Sequence, residues 1–267
     1  MRDILQKTSQ CILEAGRIIL EHWEQQGQIR HKGRIDLVTD TDLAVEEHLK
    51  ASLASILPEA RFLAEESAPT QDPGSLCWIL DPLDGTTNFA HRLPAVAISV
   101  ALYQEGQIRM GLIYLPKTGE LFYAQQGQGA FLNQERISVS QEHDIEKALI
   151  ATGFPYDIRE RLQEIMPRLG RVLAKSQGVR RMGSAAVDLA YTACGRLDGF
   201  FEQGLKPWDT AAGQLLVQEA GGQVSRFEPQ LELGLRSPDI LASNGLIHTE
   251  LSTLLLEKDK NTWQSNC

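Results

Sequence analysis

Cysteine is scarce in this chain. The four present among 267 residues (Cys11, Cys77, Cys194 and Cys267) are scattered, without paired or metal-ligand spacing. That excludes a disulfide framework and a thiolate metal site, and it fits reduced thiols in a cytoplasmic protein. No apolar run approaches about eighteen residues, so no transmembrane span and no membrane partner are expected. The first residues lack the apolar block and cleavage site of a signal peptide. Basic side chains are outnumbered, 26 against 35 acidic, for a net charge of −9. A nucleic-acid ligand needs a basic face, so that class is not expected. An anionic substrate would also be repelled unless cations intervene. Other catalytic templates are missing too. There is no G-x-S-x-G elbow and no G-x-x-x-x-G-K-[ST] loop. The six histidines have neither H-x-H nor H-E-x-x-H spacing, so His91 reads as structural or exposed rather than as a ligand.

What is present is an ordinary globular pattern, 42% hydrophobic, with enough chain for a substantial core. Ile4, Leu5, Ile12, Ala15, Ile18, Ile19 and Trp23 fall near helical spacing, which predicts an amphipathic helix over about 3–25. The polar stretch GQIRHKGRIDLVTDTD reads as a loop. A second helix, capped at Thr39 to Thr41, is expected to turn Leu43, His48, Leu49, Leu53 and Ile56 inward and to stop before Pro58. RFLA and CWIL read as short buried strands. Two long strands joined at Glu105-Gly106, then ELFYAQQGQGAFLN, form an antiparallel meander. After about residue 145 strands and helices alternate. The chain therefore reads as one unit with an α+β half over about 1–145, an α/β half over about 146–257 and a fraying tail at 258–267.

The chemistry concentrates in WILDPLDGTTNF, residues 78–89. Taken alone, Asp84-Gly85 is a common turn dipeptide, Asp209 after Pro207 is a helix cap, and Glu65-Glu66 is a solvated pair. Together they say more. Asp81 ends an apolar strand, where a carboxylate is costly to desolvate. Asp84 sits on the adjoining turn, and Glu65 follows the strand RFLA. Acidic residues at neighbouring strand ends, with the Leu83 carbonyl between the two aspartates, make a hard-oxygen cage of the kind that suits Mg²⁺. If a short helix starts at Gly85-Thr86-Thr87-Asn88, its free N–H groups face the same place and favour phosphate. Metal ions would then lie between the carboxylates, with phosphate bridging them to the helix.

These motifs resemble the inositol monophosphatase family, within the wider lithium-sensitive, magnesium-dependent phosphatases. AEES at 64–67, WILDPLDGTTNF and WDTAAGQLLVQEAGG at 208–222 match its three signatures in order, and DLVTDTD at 36–42 and GSAAVDLAYTACGRLDGFFE resemble the segments before them. The resemblance implies a layered αβαβα sandwich, an α+β fold, usually assembled as a homodimer. It implies a first Mg²⁺ on Glu65, Asp81 and the Leu83 carbonyl, a second on Asp81, Asp84 and Asp209, and a third, weaker ion near Glu65. Thr86, held by Asp42, would orient the attacking water. The Gly85 and Thr86 backbones would hold phosphate, and Ala185 and Glu202 would contact the inositol hydroxyls. Lys32 and Asp36 match the family's mobile early loop. The implied reaction is hydrolysis of a small-molecule phosphate monoester by metal-activated water. The favoured substrate is myo-inositol 1-phosphate, with fructose 1,6-bisphosphate, histidinol phosphate and other sugar phosphates as alternatives. A regulatory binding protein of the transcription machinery is the alternative from another class.

Overall fold

The computed structural model describes residues 1–24, 29–31 and 37–257. The early-loop candidates Lys32 and Asp36 and the expected tail at 258–267 lie outside the described residues. In chain order the first half contains α1 (Arg2–Glu24), β1 (Ile29–His31), β2 (Leu37–Thr39), α2 (Asp40–Ile56), β3 (Arg61–Ala64), β4 (Leu76–Asp84), α3 (Thr86–Ala90), β5 (Ala97–Gln104), β6 (Gln107–Leu115), β7 (Glu120–Gln125), β8 (Gly129–Leu132) and β9 (Glu135–Ile137). The second half contains β10 (Leu149–Thr152), α4 (Ile158–Lys175), β11 (Gly178–Arg180), α5 (Ala185–Ala193), β12 (Gly199–Gln203), α6 (Pro207–Glu219), β13 (Gln223–Ser225), β14 (Asp239–Ser243) and α7 (His248–Leu256).

Strands β3 to β9 form a seven-stranded sheet in chain order, and β11-β10-β12-β14-β13 form a five-stranded one. Alternation along the strands assigns the layers, because successive side chains leave opposite faces of a sheet. Trp78, Leu80, Ile98 and Val100 pack with Ile12, Ile19, Leu49 and Leu53 of the α1/α2 layer. Their strand neighbours Cys77, Ile79, Ala97 and Ala101 pack the other way, with Leu189 of α5 and Leu216 of α6. That middle layer also meets Ala151, Phe200 and Ala242 of the second sheet. On the far face of that sheet, Ile150, Phe201 and Leu241 cover α4 and α7 through Val172, Leu251 and Leu255. The order is thus α1/α2, sheet, α5/α6, sheet, α4/α7, an αβαβα sandwich. Where α6 crosses the first sheet, a Cβ on Gly111 would stand 2.7 Å from the Ala212 carbonyl oxygen, so glycine sets the close approach.

Two expectations are corrected. Part of the polar stretch read as loop pairs as strands, with β1 and β2 antiparallel from Ile29 opposite Thr39 to His31 opposite Leu37. Leu43 is 44% exposed rather than inward. The inward face of α2 is set by Asp42, Val45, Glu46, Leu49 and Leu53, with two acids on it, which apolar periodicity does not register. No helix among the described residues is long and apolar enough to cross a membrane.

Candidate active site

A cavity of about 570 Å³ opens where the strand ends of the first sheet meet the N-termini of α5 and α6. Glu65, Asp81, Leu83, Asp84, Gly85, Thr86, Ala185, Glu202 and Asp209 all line it. Residues separated by 144 positions in the sequence, from Glu65 to Asp209, therefore share one wall. Asp42 is the exception. It does not line the cavity but lies fully buried behind Thr86. His91 is exposed.

The central signature works through a break in strand geometry. On a regular strand, Asp81 and Asp84 would point to opposite faces, since their spacing is odd. Pairing with β5 shifts register between them: Asp81 stands opposite Ser99, and Asp84 opposite Ala97. The extra residue on β4 forms a bulge, and both carboxylates reach one cavity. The Leu83 N–H donates to Asp81 Oδ1 at 3.0 Å, closing the bulge. Gly85 then takes φ 95°, and a Cβ there would also sit 2.8 Å from the Ala95 carbonyl oxygen. Only glycine relieves both constraints. The five-residue helix α3 follows at once.

Each further carboxylate is placed by backbone hydrogen bonds. Glu65 continues the parallel β3–β4 pairing, its N–H donating to the Leu80 carbonyl at 3.2 Å, which brings it beside Asp81. Asp84 Oδ2 accepts from the Ser184 hydroxyl at 2.8 Å and the Ala186 N–H at 2.6 Å, at the start of α5. Asp209, in the first turn of α6 behind Pro207, accepts from the Lys206 N–H at 2.6 Å. The Ser99 hydroxyl donates to the Trp208 carbonyl at 3.0 Å, pinning that turn next to β5. Asn88 Nδ2 donates to the carbonyls of Ala95 and Met182 at 2.7 and 2.8 Å, clamping the signature helix to the loop before α5.

The electrostatics are those of crowded acids. Burial raises the Asp81 pKa well above the usual carboxylate value, and the charges of Glu65, Asp84 and Asp209 raise it further. Asp209 is raised by burial, then by Asp84 and Glu65. Asp84 is pushed up to about 6 by burial, against the lowering effect of the Ala186 N–H, Ser184 and Arg181. Glu202 is pushed up to about 8 by burial and by Asp84, with Arg181 opposing. Among the described residues, no three His, Cys, Asp or Glu side chains are drawn together as a finished ion site. The donor set nevertheless fits a hard divalent cation. Glu65, Asp84 and Asp209 crowd Asp81 in one cavity; carboxylates packed this closely require positive charge to ionise together, and carboxylates with a backbone carbonyl are the ligands such a cation takes.

Several residues at or next to the cavity escape sequence reasoning. Arg181, on the cavity wall, and Ser99, which pins Trp208, have no distinguishing pattern around them. Ser184 lies in the segment GSAAVD noted above, without a role assigned to it there. Asp188 does carry a signal: it is the lone acid inside the apolar helix Ala185–Ala193. Gly153 is a third kind of case, since a Cβ there would fall on the Glu202 carboxylate.

The sequence profile described as "Inositol monophosphatase family" matches residues 1–263. A protein of Synechocystis sp. named "Inositol-1-monophosphatase" is 43% identical over 253 residues, covering 94% of this chain and 88% of that protein. "Nus factor SuhB" of Escherichia coli is 40% identical over 230 residues, covering 85% and 86%. Among solved structures, inositol monophosphatase from Anabaena (Nostoc) sp. superposes with a TM-score of 0.87 at 38% identity, covering 96% of each chain. The family is metal-dependent.

Proposed function

Since this chain belongs to the inositol monophosphatase family and is a phosphatase, we propose that its cavity hydrolyses a polyol phosphate monoester, with myo-inositol 1-phosphate the favoured substrate, using Mg²⁺. The observation that carries this reading is the field on Asp81, where the charges of Glu65, Asp84 and Asp209 converge beside the Gly85 turn. Glu65, Asp81, the Leu83 carbonyl, Asp84 and Asp209 would hold two or three ions. When bound, such ions supply Lewis acidity to the phosphoryl group and lower the pKa of water.

The chain's own residues do the rest. The Thr86 hydroxyl donates to Asp42 Oδ1, which leaves its lone pairs to accept a hydrogen bond from the attacking water. Glu65 flanks that water. The Gly85 and Thr86 backbone groups bind the phosphate. Ser184 and the Ala186 N–H fix Asp84 in place. Ala185 and Glu202 contact hydroxyls of the leaving group. The net charge of −9 fits a site whose substrate is screened by ions rather than by lysines. We read 1–267 as one phosphatase unit, because a single hydrophobic cluster joins residues of both halves. A homodimer, a cytoplasmic location, inhibition by lithium and no nucleic-acid ligand complete the proposal.

The test is a phosphate-release screen over polyol and sugar phosphates with Mg²⁺, with and without EDTA. Ion-dependent release from inositol 1-phosphate is expected. Full activity in EDTA, or no release from any phosphate monoester, overturns the reading. A second reading, a regulatory binding role in transcription, draws support from the relative named as a Nus factor. A pull-down with Asp84→Asn protein separates binding from catalysis.

A further inference from the structure

Helix α2 buries two acids one helical turn apart, Asp42 and Glu46. Residues four apart share a helix face. Asp42 accepts from the Thr86 hydroxyl, just beyond the end of β4. Glu46 reaches the neighbouring strand end, where its Oε2 accepts from the Glu66 N–H at 2.9 Å. Glu46 does not line the cavity and is only 3% exposed. Its helix neighbours Val45 and Leu49 pack in the apolar cluster that contains Trp78 and Leu80 of β4. A carboxyl group taken out of water in such surroundings is costly unless it is hydrogen-bonded. The packing of α2 on the sheet also makes Glu46 a firm anchor for whatever it holds.

What it holds is the peptide that follows Glu65. Among the described residues β3 is the edge strand of the seven-stranded sheet, with β4 on one side and no strand on the other. Pairing runs to Ala64 opposite Leu80, and the Glu65 N–H adds a last bond to the Leu80 carbonyl at 3.2 Å. The chain then turns at 65–67 and leaves the ladder. Glu46 supplies the acceptor that the ladder no longer offers to the Glu66 N–H. The peptide before Glu65 is therefore tied to β4, and the peptide after it to α2. With both planar peptides fixed, the two soft backbone dihedrals of Glu65 are fixed as well, and with them the direction of its side chain.

We propose that Glu46 is a positioning residue for Glu65, aiming that carboxylate at Asp81 through the Glu66 N–H. With Asp42 on the same face, α2 then sets the separation between Glu65 and Thr86. The proposal rests on the reading above, in which Glu65 holds Mg²⁺, and adds to it a residue outside the cavity. Groups that orient a metal-binding side chain are worth about 10–100-fold in ion affinity or activity. Glu46 acts on the backbone rather than on the carboxylate itself, which places it at the lower end.

Two variants separate the hydrogen bond from the acid. Glu46→Gln keeps an acceptor oxygen at the same reach and gives up the carboxyl group. Glu46→Asp keeps the carboxyl group and draws it back by one carbon. Isothermal titration of the EDTA-stripped proteins with Mg²⁺ alone gives the Kd of the ion. Phosphate release from myo-inositol 1-phosphate over the same ion series gives the half-activating concentration. Both quantities should rise about tenfold in Glu46→Asp and stay near the wild-type values in Glu46→Gln. A Glu46→Asp protein that binds Mg²⁺ as the wild type does overturns the role of Glu46, and so does a Glu46→Gln protein weakened about tenfold. Tm in EDTA reports whether each variant is folded, and if Glu46→Asp is not, the Glu46→Gln titration alone decides. Either failure leaves the phosphatase reading standing. A wild type that binds no Mg²⁺ overturns the proposal together with the ion-dependent reading it rests on.

Discussion

The Thr86 hydroxyl donates to Asp42 Oδ1 across 2.9 Å, joining the turn after β4 to the first turn of α2. The Leu83 carbonyl is 3.0 Å from the same hydroxyl, and one hydroxyl proton serves one acceptor at a time. Asp42 itself is anchored through Oδ2, which accepts from the Thr39 N–H at 2.8 Å and the Thr39 hydroxyl at 2.5 Å. Its carboxylate therefore does two jobs, capping a helix and orienting Thr86. Thr86→Val should lower kcat by about a hundredfold or more, in line with losses of a positioned proton-handling group. Thr86→Ser should retain most of the activity. Asp42→Ala should lose both activity and about 1–2 kcal/mol of stability through the cap. Steady-state kinetics and denaturant unfolding on the three variants check this, and a Thr86→Val enzyme with ordinary turnover would contradict the assignment.

Removing one of the crowded carboxylates should have opposite effects on activity and on stability. With Mg²⁺ present, Asp84→Asn and Asp209→Asn should each reduce turnover by several orders of magnitude, because electrostatic clamps stabilise most of the transition-state charge. In EDTA the same substitutions should raise Tm above that of the wild type, since each deletes a like charge from beside Asp81. Thermal unfolding with and without the ion, run beside kinetics, reads both signs. A lower Tm in EDTA for both variants would mean that the hydrogen bonds of these side chains outweigh their repulsion.

Glu202 gives the ion-free protein a pH dependence of definite sign. Its pKa stands at about 8 in the folded state against 4.5 ordinarily, first through burial and then through Asp84. Between those values the unfolded chain has released the proton and the folded one keeps it, so stability falls as pH rises. The contribution is fully present below about pH 4.5 and is lost once pH passes about 8. Glu202→Gln should abolish that slope and gain on the order of a few kcal/mol relative to wild type at pH 9. Denaturant unfolding from pH 5 to 9 in EDTA measures it, and parallel curves for the two proteins would refute the shift.

Gly153 is predicted to act on substrate choice through Glu202. A Cβ at this position would overlap the Glu202 carboxylate, so Gly153→Ala must displace it. The KM for a polyol phosphate should rise several-fold while Tm changes by only a few degrees, as expected of a loop position. The combined Gly153→Ala, Glu202→Ala protein should behave as Glu202→Ala alone, because the group that the methyl displaces is then gone. Additive losses in the double variant would show that Gly153 acts by another route.

The spacing of acids and the order of elements were legible in the chain itself. D-P-L-D-G-T-T-N after an apolar strand places carboxylates and a glycine turn at one strand end. Pro207 before Asp209 marks a helix start, and Glu105-Gly106 marks a hairpin, where both residues do take positive φ. These are local properties, fixed by backbone sterics and by alternation over a few residues. The sequence could not show that Asp81 and Asp84 share a face despite an odd spacing, because the bulge exists only in pairing with Ser99 and Ala97 of β5. The resemblance did imply that Asp42 holds Thr86, but the sequence could not show that Leu43 turns outward on a helix whose inner face carries two acids. Above all, the environment of Asp188 belongs to the tertiary structure. An acid in an apolar helix is visible in the sequence, but its burial, its unpartnered oxygen and the pressure of Glu202 and Asp84 on it arise from three separate elements meeting at one cavity. Desolvation and Coulomb repulsion depend on what lies within a few ångströms in space, and that distance is set only when the sheets close over the middle helices.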